Sequence, residues 1–89
     1  MPERERRSES LRAAAPLRVG AVTLIPIERV VVRSARRWPG VWASAALEPY
    51  ALVVRDAGGV RAVGLDAEAV PLERLRELIP ELEDLLASP

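Results

Sequence analysis

Apolar residues follow two rhythms along this chain of 89 residues. From Leu17 to Leu65 they come in short blocks or alternate with polar residues, which is the period of β-strands. From Leu72 to Leu86 they recur every three or four positions, which is the period of an α-helix. The strongest strand signal is PYALVVRDAGGVRAVGL, residues 49 to 65. Ala51, Leu52, Val53 and Val54 are consecutive, as expected of an interior strand with both faces partly dry. Asp56-Ala57-Gly58-Gly59 is turn chemistry: Asp can accept from the backbone just ahead, and Gly takes positive φ at little cost. Val60 to Leu65 then forms the second strand of a central hairpin, with Val60, Ala62 and Gly64 on one face and Arg61, Val63 and Leu65 on the other.

Upstream, Leu17-Arg18-Val19 and Val22 to Ile25 flank a tight turn at Gly20-Ala21. The second of these strands runs on through Ile27 to Arg33, and Pro26 marks an edge, a bulge or a break within it. Val41 to Leu47 is a weaker strand, and Glu48-Pro49 is expected to end it. The Leu stripe of the C-terminal segment predicts helix. Pro71 suits the first helical position, and Pro80 predicts a kink or two short helices over residues 71–78 and 80–87. The fold expected is α+β: a small antiparallel sheet of about four to five strands, with the C-terminal helical segment packed on one face. Residues 1–15 have little to bury and read as a disordered or loosely helical tail, which leaves residues 16–88 as a single domain.

Composition narrows the chemistry. The chain lacks Cys and His, and all of its basic side chains are Arg. Disulfides, thiolate metal sites and lysine chemistry are therefore excluded, and acid–base work would fall to carboxylates with no diagnostic spacing. Gly58-Gly59 has none of the surroundings of a phosphate-binding loop. We expect no catalytic, metal or cofactor site and no enzyme activity. The longest uncharged run, Trp38 to Leu47, is about half of what a membrane-spanning helix needs, and the cytoplasm is the expected compartment. A core built almost wholly from Val, Leu, Ile and Ala in so short a chain is marginal by itself, so a homo-oligomer is expected.

Net charge is zero but unevenly placed. Residues 1–45 carry nine Arg against four Glu, and residues 46–89 carry four Arg against nine acids. The two halves can neutralise each other within one molecule or between neighbours. The candidate contact residues are Arg29, Arg33, Arg36, Arg37 and Trp38, in the strand and connector before Pro39-Gly40. Arg beside an aromatic ring suits nucleic acid, anionic lipid or an acidic protein face. An acidic face exists in this same chain, in the C-terminal segment, so a solvated and ion-paired connector is the plainer expectation.

Three blocks in order, GAVTLIPIERV, EPYALVVRDAGGVRAVGLD and LERLRELIPELEDLL, resemble the GerW/YtfJ-type sporulation protein family. The matching positions are Gly20, Thr23, Ile25, Pro26, Ile27 and Val30, then Pro49, Ala51, Leu52, Val53 and Val54, then Gly59-Val60, and finally Leu75, Leu78 and Pro80. In place of the family's glycine-rich insertion stands the short SARRWPGVWASAALE. The resemblance implies a non-enzymatic, self-associating protein that acts through protein contacts, and it carries over no catalytic residues. The alternative is a small module that binds nucleic acid or an anionic surface through residues 29–38.

Overall fold

A computed structural model describes residues 4–37 and 40–87. Among the described residues the chain forms six strands and two short helices: β1 (Arg4–Ala13), β2 (Leu17–Val19), β3 (Val22–Arg37), β4 (Gly40–Asp56), β5 (Gly59–Gly64), β6 (Ala69–Val70), α1 (Leu72–Leu78) and α2 (Glu81–Ala87). The strands make one antiparallel sheet in the order β1-β3-β4-β5-β6, with β2 pairing β3 beyond the end of β1. The α+β class is as expected, but six strands replace the four to five read from the pattern.

Two of the differences have clear causes. Residues 4–13, read from sequence as a disordered or loosely helical tail, form β1 along the whole projecting part of β3. The segment has no apolar alternation of its own, so the β3 edge supplies the template, helped by cross-strand contacts such as Arg12 Nε to Glu28 Oε2 at 2.9 Å. The expected strand end at Glu48-Pro49 is instead a β-bulge inside one long strand. Ile27 pairs with Ala51 and Glu28 with Pro49, which leaves Tyr50 as the extra residue of β4.

Pro26 lies within β3, and its tolerance there follows from its neighbours. The Ala14 N–H donates to the Pro26 carbonyl at 2.8 Å, so the polar groups of Pro26 face the β1/β2 side. That is where the edge is interrupted between Ala13 and Leu17, and the missing N–H breaks no ladder. The helices follow their prolines. Pro71 stands just before α1, at its N-cap, and Ile79 between the helices has φ −128° and ψ 86°, outside the helical region as the residue before Pro80 must be.

The sheet has two regions. In the body, Leu75, Ile79 and Leu82 of the helical segment seat on Ile25, Ile27, Ala51, Val53 and Ala62, and this is the core. Beyond the bulge, β3, β4 and β1 continue as a three-stranded arm that no helix covers, in a molecule 58 Å long and 24 Å by 21 Å across.

Candidate functional site

The bulge decides which side chains face outward on the arm. In the body the odd-numbered residues of β4, Ala51 and Val53, face the helices. Past Tyr50 the phase inverts, and the even residues Trp42, Ser44, Ala46 and Glu48 take that side. The odd residues Val41, Ala43, Ala45 and Leu47 join the opposite face of the sheet, beside Val30 and Val32 of β3. This opposite face continues through the body as Leu17, Leu24, Leu52 and Val63.

Exposure picks out this uncovered face. The exposed large apolar residues are Leu17, Val19, Val41, Trp42, Leu47, Leu65 and Leu78. By register and strand alternation Leu17, Val19, Val41 and Leu47 stand on it, and Leu65, just past β5, lines the cleft there. An open cleft of about 440 Å³ lies on it at the bulge, lined by residues that include Pro26, Leu47, Pro49, Leu52, Val63 and Leu65. Contiguous apolar surface of this kind on a folded chain marks a contact site.

The other face of the arm is mixed, with Val31, Ala35, Ala46 and Trp42 set among Arg7, Arg29, Arg33, Glu5, Glu9 and Glu48. Arg29 pairs with Glu48 at 3.6 Å, and its guanidinium sits 5.3 Å from the centre of the Tyr50 ring. Arg33 stands on the same side as Arg29, four residues farther along β3 toward the tip. Arg36 belongs to the opposite, apolar side by alternation. The five residues proposed from sequence therefore do not form one patch: Arg29 and Arg33 share a side, and Arg36 does not. Arg37 ends β3, and Trp38 lies outside the described residues. Among the described residues none of Arg29, Arg33 and Arg36 is ion-paired with a helix carboxylate. The arm carries these arginines away from the helices, which pack on the body.

At the far end of the body another open cleft, about 460 Å³, is lined by Arg18, Gly20, Ala21, Thr23, Arg55, Asp56 and Ala57. Its arginine at position 55 already has structural partners. One guanidinium nitrogen donates to the Leu86 carbonyl in the last turn of α2, and the other to Thr23 Oγ1 at 3.3 Å. Arg55 thus satisfies a helix-end carbonyl and ties α2 to the sheet. Asp56 Oδ1 accepts from Gly58 N at 2.8 Å, and Asp56 Oδ2 pairs with Arg61 at 3.0 Å. The hydrogen bond from the Gly58 backbone, followed by that from Arg61, holds the Asp56 carboxyl below its ordinary pKa.

No protein-family model, no curated protein and no solved structure matches the chain. No helix among the described residues is long and apolar enough to cross a membrane.

Sequence reasoning missed the arm's share of the uncovered face, the stretch of β4 from Val41 to Leu47. The signal was present: Trp38 to Leu47 has no charged residue, whereas β1 at the other edge of the arm is dense in Arg and Glu. Without the topology, the uncharged run read only as a weak strand and as a segment too short to span a membrane, with nothing to say which of its sides lies at an edge.

Proposed function

We propose that this chain is a non-enzymatic, self-associating protein of the cytoplasm that acts through protein–protein contacts, as the resemblance to the GerW/YtfJ-type sporulation family implies. The observation that carries the reading is the uncovered sheet face, where Val41 and Leu47 of the arm and Leu17, Val19 and Leu65 of the body stand exposed. A monomer gains nothing by holding them there, and a contact with a protein surface would remove them from water. The charge division supports the same reading. With Arg29, Arg33 and Arg36 spaced along the arm and none of them paired with a helix carboxylate, the basic and acidic halves have room to meet between molecules.

Binding of nucleic acid or an anionic surface through Arg29, Arg33, Arg36, Arg37 and Trp38 has less support. Arg29 is matched by Glu48, and Arg36 is on the other side of the sheet from Arg29 and Arg33. Light scattering over a range of protein concentrations tests the main reading. A mass above that of the monomer, rising with concentration, is expected, and a strict monomer at high concentration would overturn it.

A further inference from the structure

The self-association proposed above rests on the uncovered face, and the arm also offers strand edges through which two copies can pair. The arm has two outer strand edges of opposite character. The β1 edge is ArgGluArgArgSerGluSerLeuArgAla, the kind of charged edge that discourages strand addition. The β4 edge from Gly40 to Leu47 has no charge, no proline and no bulge, and every residue there is exposed. Strand β5 pairs β4 only from Ala51 to Asp56, so among the described residues the strand ladder of this stretch lies on its β3 side.

The direction of its polar groups follows from the pairing. Because the Pro26 carbonyl faces β1/β2, the even residues of β3 point that way and the odd ones point to β4. The residues opposite those odd positions are Glu48, Ala46, Ser44, Trp42 and Gly40, and they bond back to β3. The N–H and C=O groups of Val41, Ala43, Ala45 and Leu47 therefore point outward, with no strand among the described residues to receive them.

We infer that a second copy of this chain adds its own β4 to this edge, antiparallel and about a two-fold axis at Ser44. In that register Val41 faces Leu47 of the partner strand, Ala43 faces Ala45, and Ser44 faces itself. All of the outward groups of these four residues are then satisfied in exchanged pairs. Trp42 falls opposite Ala46, a large side chain against a small one. Slipping the register by two residues in one direction places Val41 against Pro49, which has no N–H to give. Slipping it in the other direction carries Leu47 past Gly40, where β4 begins. Slipping by one residue sets outward-pointing groups against inward-pointing ones. The result is one continuous arm sheet in the order β1-β3-β4-β4-β3-β1. Both of its outer edges are the charged β1, so addition stops at two copies.

The test uses the whole chain in three forms, by light scattering and by oxidation of a single introduced cysteine. The unmodified protein is expected to be dimeric. Ala45→Pro removes an outward N–H and leaves the β3–β4 ladder intact, so it should weaken dimerisation roughly tenfold or more while the circular dichroism is kept. Ser44→Cys should give a disulfide-linked dimer, because the Cα atoms of a directly opposed pair of this kind lie about 4.5 Å apart, within disulfide reach. The native chain has no cysteine to confuse the result. Ser34→Cys, on β3 and on the apolar face, should stay unlinked. If the unmodified protein is dimeric but Ala45→Pro leaves it so and Ser44→Cys does not link, edge pairing is overturned while self-association stands. Linking by Ser34→Cys and not by Ser44→Cys would assign the contact to the apolar face instead. A monomer at every concentration removes both proposals. Should Ala45→Pro fail to fold, the cysteine pair decides alone.

Discussion

The body and the arm are built from the same two strands and differ in what lies on them. In the body, β3 and β4 have the helical segment on one side, and the fully buried Ile25, Ile27, Val53, Leu75, Ile79 and Leu82 are all there. In the arm the same strands bury only Val31 and Ala35, between Glu9 and Glu5 of β1 and Ala46 and Trp42 of β4. The first region has a core that excludes water with apolar groups. The second shields two small side chains beneath cross-strand neighbours. Strand-forming sequence is therefore enough to extend a sheet but not to give it a core, and a three-stranded ribbon without a covering layer has to find one elsewhere.

The largest effect separating the two regions should come from their buried side chains. Leu75→Ala empties a site that is 1% exposed and walled by both sheet and helix, and should cost about 3 kcal/mol in urea unfolding. Val31→Ala, at 5% exposure in the arm, should cost about 1 kcal/mol, because its flexible cover can settle into the space. Its effect should also depend on protein concentration if the arm is completed by a second copy. Equal losses at the two sites would break the distinction and give the arm a core as firm as that of the body.

Legibility in the sequence followed the same division. The body could be read because each of its devices is local. Pro80 pushes Ile79 out of the helical region, Gly59 takes φ 117° at the end of the hairpin turn, and Gly20 takes φ 63° in the β2–β3 turn. The arm could not, because its devices depend on partners distant in the chain. Residues 4–13 become a strand only where β3 offers an edge, and the bulge at Tyr50 appears only when the β3 and β4 registers are compared. Arg29, Arg33 and Arg36 looked like one basic patch because they are near in sequence. Strand alternation places Arg36 on the opposite side from the other two.

A smaller effect tests whether the regions are independent. Arg55→Met keeps the apolar stem and removes the hydrogen bonds to the Leu86 carbonyl and to Thr23 Oγ1. It should destabilise the protein by about 1.5 kcal/mol, the scale for a charged donor on partly buried acceptors. Hydrogen exchange should quicken through α2 and leave the amides of β3 and β4 beyond the bulge at their former rates. Faster exchange along the arm as well would mean that docking of α2 is felt across the bulge, and the two regions would have to be treated as one cooperative unit.

The smallest effect lies at the β4–β5 turn and depends on pH. The carboxyl of Asp56 is held below its ordinary pKa of 3.8, first by the Gly58 N–H and then by Arg61. A carboxyl with a depressed pKa in the folded state stabilises most when ionised in both states. Its contribution is therefore full above the ordinary value and fades as pH falls through the lower, folded one. Asp56→Asn keeps an acceptor for Gly58 and loses the charge that faces Arg61. The native protein should exceed this variant in urea midpoint at neutral pH, and the gap should close on acidification below 3.8. Because the turn belongs to the body, the gap should be the same at every protein concentration. A gap that persists unchanged in acid would mean that the shape of the turn, and not the charge of Asp56, sets its contribution.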